Sequence, residues 1–154
     1  DQQLIAGLGN IYAVETPFIV GLSPWTPVGE IDDLDYLLAI AVAMIRVNAR
    51  RGPQNTTGRR LTQNDHWVLN RRIRRCKICG ADLIRQGPAK TAWKRRTAWC
   101  PTCQPDERTS VDRERAARLL AMHPCRTVVD LPDGKFLAAT TSPVETLPGR
   151  RQSI

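Results

Sequence analysis

The sequence predicts a mainly α-helical protein that carries a zinc-bound β-hairpin. Two observations predict this fold class: apolar residues recur at helical spacing in the first third of the chain, and two Cys-x-x-Cys pairs follow later. The chain has 154 residues, of which 42% are hydrophobic and 5% aromatic, enough for one or two small domains with a modest core. We expect a helical domain over residues 1–65, a zinc hairpin over 66–104 and an extension of unknown role over 105–154.

The first 22 residues indicate a helix, a tight turn and a second helix. Gly7 and Gly9 allow the turn, and Asn10 is a residue type that caps helix starts. Glycines also let a phosphate approach the backbone, and the free amides of a helix start attract anions. Asn10 can therefore cap the second helix, bind a phosphate or do both, and the cap is the simpler interpretation. Pro17 should kink or stop this helix near Thr16, because proline lacks an amide and clashes with the preceding turn.

A long core helix is predicted after an extended, proline-containing connector. Asp32 and Asp33 open this helix, and Gly52-Pro53 ends it. Its apolar residues recur at i, i+3, i+4 and i+7, which is typical of a helix with one buried face. The residues that define this face are Leu34, Leu37, Leu38, Ala41 and Ile45, and the residues that widen it are Ile40, Val42 and Met44.

The polar stretch 54–65 predicts an exposed loop that is mobile when no ligand is bound, because it contains too few apolar groups to pack. Arg59 and Arg60 within this loop are candidates for phosphate contacts. His66, which follows the loop, is assigned a structural role or a role next to the bound ligand rather than a role as metal ligand, since the four cysteines that follow it already complete a closed metal site.

Four cysteines predict a metal site in the second half of the chain. Two Cys-x-x-Cys pairs are separated by 20 residues, the spacing of tetrahedral zinc sites. Disulfides are the alternative, but they are typical of short secreted chains. No signal peptide or membrane-length apolar run is apparent, so we expect a chain in a reducing cytoplasm that binds one structural Zn²⁺ and no membrane. The predicted ligands are Cys76, Cys79, Cys100 and Cys103.

A β-hairpin is predicted between the two cysteine pairs. Gly87-Pro88 interrupts the segment, and the return arm, residues 92–99, has the length of a strand. Side chains alternate between the faces of a strand, so the adjacent Arg95 and Arg96 should point in opposite directions.

Positive charge is concentrated on the zinc hairpin and just before it. The formal net charge is +8, and residues 46–99 contain 15 Lys or Arg against two acids, whereas residues 1–45 contain six acids and no Lys or Arg. The zinc thiolate centre needs only part of this charge for compensation. The excess is typical of a surface that binds phosphates, with a merely solvated basic surface as the alternative.

The last third of the chain predicts a short helix, residues 111–122, capped by Thr109 or Ser110 and ended by His123-Pro124. Its predicted apolar face consists of Ala116, Leu119 and Leu120. Cys125 is left over from the four predicted metal ligands and is most simply a buried or unpaired thiol. No residue of this segment carries recognisable chemistry.

Two stretches resemble one protein family. The opening run, D-Q-x-x-I-A-G-x-G-N-I-Y-A-x-E, is similar to the helix-two-turn-helix signature of the formamidopyrimidine-DNA glycosylase and endonuclease VIII family. R-R-T-A-W-C-P-T-C-Q, residues 95–104, is similar to the C-terminal zinc finger of that family, and His66-Trp67-Val68 with Arg71 resembles the approach to this finger. The resemblance covers residues 1 to about 104 and implies a helix-two-turn-helix domain followed by a four-cysteine zinc hairpin.

The resemblance implies excision of oxidised bases from double-stranded DNA in base excision repair, followed by cleavage of the abasic site through a Schiff base. In this family the nucleophile is an N-terminal proline on a β-sandwich domain. This sequence begins Asp1-Gln2, so we expect that catalytic domain to be absent and the chain alone to be inactive. The expected setting is a monomer in a bacterial cytoplasm, associated with the nucleoid and bound to duplexes that hold an oxidised base or an abasic site.

The resemblance also names the residues that would contact DNA. Arg95 lies five residues before the third zinc cysteine, as the family's finger arginine does, and Arg96 is the alternative. The implied role of Arg95 is to hold a phosphate beside an everted nucleotide and to assist the second elimination step. The predicted DNA-binding set is Asn10, Gly7, Gly9, Arg95, Arg96 and Arg71. The alternative function is that of a non-catalytic, zinc-containing DNA-binding or regulatory protein with the same module, and an RNA-binding protein fits the zinc hairpin less well.

Overall fold

The structure, a computed structural model, describes residues 8–59, 62–69, 72, 74–90 and 94–126. These residues form α1 (Asn10–Val20), α2 (Leu34–Arg51), β1 (Ile84–Gln86), β2 (Thr97–Trp99) and α3 (Arg113–Leu120), with short 3-10 helices at Val28–Glu30 and Pro88–Lys90. A mainly α-helical fold with one small antiparallel sheet agrees with the fold class that the sequence predicts. Among these residues, no helix combines the length and the apolar character that crossing a bilayer requires.

Helix α1 differs from its prediction at both ends. Gly9, not Asn10, occupies the N-cap position, and no side chain bonds the free amides there, so the cap assigned to Asn10 was wrong. Pro17 was predicted to kink or stop the helix near Thr16; it lies inside the helix, which continues for three more residues, so the predicted stop does not occur. Proline removes one amide donor, and Ala13, whose carbonyl loses that donor, is exposed, so water can replace it.

Helix α2 has the predicted boundaries, and its predicted apolar face is buried in part. The carboxylate of Asp33 caps it by accepting a hydrogen bond from the Tyr36 amide at 3.1 Å, and Gly52 ends it. Of the predicted face, Ile40, Ala41 and Met44 are buried, whereas the other residues are only partly buried, because α2 is apolar on more than one side and periodicity alone does not say which side meets the core. The buried residues of α2 are Tyr36, Ala39, Ile40, Ala41, Ala43, Met44 and Asn48.

Helix α1 lies at the centre of the described fold, in contact with α2, α3 and β2. Helix α3 is shorter than predicted and is capped by Asp112, whose carboxylate accepts from the Arg115 amide at 2.8 Å, so the caps assigned to Thr109 or Ser110 were wrong. The predicted apolar face of α3 is confirmed. The large hydrophobic side chains that are fully buried include Phe18, Ile19, Val20, Leu22, Ile40, Met44, Val68 and Leu120.

Residues 55–58 form a buried loop, contrary to the exposed loop that their polarity predicts. Hydrogen bonds replace apolar contacts here. The Asn48 side chain donates to the Asn55 carbonyl at 2.9 Å, and the Thr57 hydroxyl donates to the Asp65 carboxylate at 2.7 Å. A polar loop can be buried in this way when each group finds a partner.

The predicted hairpin is present, but its return strand is short. Strand β1 pairs with β2 in antiparallel register, with Ile84 opposite Trp99. Lys94 has φ 51°, which interrupts an extended arm, so β2 begins only at Thr97. Arg95 therefore precedes the strand, and the alternation predicted for it and its neighbour does not apply; residues 91–93 of the predicted arm lie outside the described residues.

Candidate metal centre and nucleic-acid interface

The four predicted metal ligands, Cys76, Cys79, Cys100 and Cys103, come together at the base of the hairpin. Their Sγ atoms all lie within 4.8 Å of one another, and every cysteine in the described part of the chain is a free thiol. The Ile78 amide lies 3.4 Å from the Cys76 sulfur, and the Cys103 amide lies 3.4 Å from the Cys100 sulfur. Such a group can hold one metal ion, and four thiolates with amide donors are the set that zinc prefers in structural sites.

The metal-binding thiols differ in acidity. A hydrogen bond from the Ala81 backbone is the main reason that the pKa of the exposed Cys79 thiol falls to about 7. Burial raises the pKa of Cys100 above its usual range. Cys79 therefore supplies a thiolate for a metal ion more readily than Cys100 does.

An ion pair fastens the first cysteine pair to the helical part of the molecule. The Lys77 ammonium lies 2.5 Å from the Asp65 carboxylate and donates to the His66 carbonyl at 2.7 Å. Burial of Asp65 opposes ionisation, but hydrogen bonds from Lys77 and Thr57 lower its pKa below the usual value. The His66 side chain is buried and does not belong to the metal-binding group, in agreement with the structural role predicted for it.

A buried glutamine fastens the second cysteine pair to the end of α1. The Gln104 side chain donates to the Leu22 carbonyl at 2.7 Å and accepts from the Cys100 amide at 3.1 Å. Both cysteine pairs are thus tied to the helical core by polar contacts as well as by the sequence that joins them.

Glu15 organises the segment between the core and the hairpin. Its carboxylate is fully buried and accepts from the amides of Trp67 at 2.6 Å, Val68 at 2.9 Å and Leu69 at 2.7 Å. The Thr56 hydroxyl donates to the same carboxylate at 2.6 Å. Hydrogen bonds to a charged acceptor are the strong ones, so Glu15 holds residues 67–69 firmly against α1. Sequence reasoning missed this role, and the only available signal was the place of Glu15 in the opening motif.

A cleft of about 430 Å³ lies between the start of α1 and the hairpin. Polar and charged side chains from three segments share it with apolar ones. Its lining includes Asn10, Arg85 and Arg96 among the polar and charged residues and Val68, Leu69 and Ala98 among the apolar ones. Because Glu15 holds residues 68 and 69, the shape of the cleft depends on the buried network as well as on the hairpin.

A hydrogen bond joins two predicted DNA contacts that line the cleft. The Asn10 side chain donates to the Arg96 carbonyl at 2.9 Å. This bond ties the start of α1 to the arm that carries Arg95, whose side chain is exposed. Asn10 therefore acts on the tertiary structure, a role that spacing alone could not distinguish from a cap.

Of the remaining predicted contacts, Gly9 and Arg59 lie within the described residues. Gly9 has φ −70°, and a Cβ there would meet no atom within 4 Å, so the fold itself does not require glycine. The Arg59 guanidinium lies 5.7 Å from the centre of the Trp67 ring. Gly7, Arg60 and Arg71 lie outside the described residues.

Exposed cations occupy both arms of the hairpin and the turn between them. They are Arg85, Lys90, Lys94, Arg95 and Arg96. The acid of this region in the described chain, Asp82, lies 3.8 Å from Arg75, and both side chains are exposed. The hairpin therefore presents a positive surface next to the cleft, as the charge distribution predicts.

Comparisons with known proteins identify relatives of this chain. It is 38% identical over 106 residues to probable endonuclease 8 2 of Streptomyces coelicolor. It is 36% identical over 104 residues to DNA-(apurinic or apyrimidinic site) lyase Nei2 of Mycolicibacterium smegmatis. It is also 36% identical over 113 residues to formamidopyrimidine-DNA glycosylase of Gloeobacter violaceus. Each match covers 68% of this chain and 38%, 40% and 38% of the respective relative. The matched stretch thus spans about two fifths of the length of these relatives. No protein-family profile matches the chain.

Proposed function

Because the chain belongs, over about two thirds of its length, to the formamidopyrimidine-DNA glycosylase and endonuclease VIII family, we propose that it is the C-terminal, DNA-binding part of a DNA glycosylase and abasic-site lyase. The hydrogen bond from Asn10 to the Arg96 carbonyl carries this proposal. It joins the start of α1 to the arm next to Arg95, so that the two elements expected to bind DNA form one cleft.

The proposed ligand of the cleft is the DNA backbone. The first amides of α1 have no side-chain cap, and the helix dipole favours an anion at this end. The space beside Gly9 is open, which allows a phosphate to approach the backbone. Asn10 and Arg95 would hold neighbouring phosphates beside an everted nucleotide, and the cations of the hairpin would attract the duplex.

The proposed metal is one structural Zn²⁺ held by the four cysteines. A site closed by four thiolates leaves no open position for substrate, so the ion would shape the hairpin and take no part in bond cleavage. Arg95 would assist the second elimination step by keeping its charge next to the leaving phosphate. The amine that attacks the sugar is proposed to belong to the part of the enzyme that the matched stretch does not cover.

Binding to a duplex with an abasic site tests the proposal. Arg95→Ala removes a phosphate contact and should weaken binding about tenfold, whereas Arg118→Ala, which removes an equal charge from the exposed face of α3, should change it about twofold or less. Fluorescence anisotropy of a labelled duplex measures both. Equal affinities for the two variants would contradict the proposed site.

Chemical trapping separates binding from catalysis. Borohydride reduces a Schiff base to a stable bond, so a protein that supplies the amine gives a covalent band with abasic DNA. We expect this chain to bind the duplex without giving that band, and a band would show that one of its own amines is the nucleophile.

A further inference from the structure

The segment 105–126 follows the last cysteine pair and packs back onto the helical core. We propose that this segment, which we call the clasp, positions the cleft of the DNA interface and is thus a working part of the binding module. The inference rests on the proposed function for its DNA-binding consequence. Two observations support the proposal. The clasp contacts the core at two separate places, which we call its anchors, and a continuous series of contacts leads from one of these anchors to the cleft.

The first anchor of the clasp is the C-terminal turn of α1. The Asp112 amide donates to the Val20 carbonyl at 3.0 Å. The Arg115 guanidinium is buried, lies 4.9 Å from the centre of the Phe18 ring and donates twice, at 3.2 Å, to the Phe18 carbonyl. The last carbonyls of a helix lack intrahelical partners and favour positive charge, so these contacts suit the end of α1.

The second anchor of the clasp is the buried loop 55–58. The fully buried His123 ring accepts from the Cys125 amide at Nδ1, so its Nε2 carries the proton and donates to the Asn55 carbonyl at 3.1 Å. Gly58 has φ 75°, and a Cβ there would lie 2.5 Å from the His123 nitrogen and 2.6 Å from the Met122 carbonyl carbon. The loop and the clasp therefore touch backbone to backbone, at a distance that only glycine permits.

Hydrogen bonds connect the loop to the wall of the cleft. The Thr56 hydroxyl donates to Glu15, and the Thr56 carbonyl accepts from the Trp67 indole nitrogen at 3.0 Å. Glu15 in turn holds the amides of Val68 and Leu69, which line the cleft. Each of these hydrogen bonds is at least partly buried, so moving the clasp away from the loop should loosen the part of the cleft wall that Val68 and Leu69 form.

Two glycine variants of the zinc-loaded chain test the clasp. Gly58→Ala forces a methyl group into the clasp, whereas Gly52→Ala also places alanine at a positive φ, 87°, but with no atom within 4 Å of the new methyl group. Hydrogen exchange of the amides of residues 67–69 reports on the cleft wall without DNA, and the amides of α2 serve as a reference for global unfolding. We expect Gly58→Ala to speed exchange at residues 67–69 about tenfold more than Gly52→Ala does, with a parallel loss of affinity for the abasic duplex.

A second pair of variants covers the case in which Gly58→Ala does not fold. His123→Leu removes the donor to the Asn55 carbonyl, whereas His123→Gln can keep a donor at the Nε2 position. We expect His123→Leu to speed the exchange of residues 67–69 and His123→Gln to restore most of the protection. Equal protection in the two members of either pair would overturn the clasp. If the unsubstituted chain does not bind the duplex, the proposed function fails, while the exchange experiment still decides on the clasp.

Discussion

The hairpin and the region around α1 differ in how they are held. The sheet has three residue pairs, and β2 is buried against the core, whereas Ile84 in β1 is 43% exposed. Around α1, Phe18, Ile19 and Leu22 are fully buried, and Glu15 binds four donors. We therefore expect the proposed metal ion to hold β1 and the two cysteine pairs in place, whereas apolar packing and a buried polar network hold the core.

The proposed DNA cleft lies where these two regions meet. Asn10 belongs to the core and Arg96 to the hairpin, and the hydrogen bond between them crosses the boundary. Each region can therefore be weakened separately, and the four predictions that follow do so.

Removal of the metal should have the largest effect. Structural zinc contributes about 10–16 kcal/mol of apparent binding energy in small zinc modules. We expect chelation, or Cys100→Ser, to unfold the hairpin and abolish DNA binding while most of the helical signal in circular dichroism remains. Exchange protection of the β2 amides measures the hairpin directly, and protection that survives chelation would show that the hairpin does not depend on the metal.

Loss of the buried charge at Glu15 should have the next largest effect. Glu15→Gln turns a four-fold acceptor into a group that must direct an NH₂ at backbone amides, which should lower the free energy of unfolding by about 2–3 kcal/mol. Glu114→Gln, at an exposed position of α3, is the matched control and should change it by less than about 0.5 kcal/mol. Urea unfolding measures both, and similar values would contradict the role of Glu15.

Acidification should lower the free energy of unfolding through protonation of His123. Burial lowers the pKa of this ring, and the positive charge of Arg51 adds to the effect, although the bond to Asn55 opposes it. The folded state thus binds this proton at lower pH than the unfolded state does. The contribution of His123 to the free energy of unfolding is therefore complete above the ordinary pKa of about 6.5. It is lost as the pH falls below that value, by at most about 1.4 kcal/mol per pH unit. Urea midpoints between pH 7.5 and 5 test this. His123→Gln should flatten the profile, and an unchanged slope in that variant would assign the pH dependence to other groups.

The rate of thiol alkylation should differ between the hairpin and the core, and this experiment perturbs the protein least. Burial raises the pKa of Cys125 to about 12. After chelation at pH 8, the unfolded hairpin exposes Cys79, so this thiol should be alkylated within minutes at the ordinary pKa of an exposed cysteine, whereas Cys125 should react only when the core unfolds. Mass spectrometry of iodoacetamide adducts measures the order. Early modification of Cys125 would mean that the core opens together with the hairpin.

The sequence alone predicts those features that depend on local pattern. The four cysteines, the boundaries of α2 and the hairpin follow from spacing and from residues next to each other in the chain. Asn10 shows the limit, because its residue type suits a cap, and only the fold reveals a partner 86 residues away. The buried loop 55–58 and the role of Glu15 were missed for the same physical reason: polar groups become buried only when distant partners satisfy them.

A double-mutant cycle on the two sides of the cleft tests the central claim most directly. Asn10→Ala, Arg95→Ala and the double variant are each titrated with the same abasic duplex at one salt concentration. If Asn10 holds the arm of Arg95 in one cleft, losing both should cost less than the sum of the single losses, with a coupling energy of about 1 kcal/mol or more. Losses that add within about 0.3 kcal/mol would show that the start of α1 and the hairpin bind DNA independently, which contradicts a shared cleft.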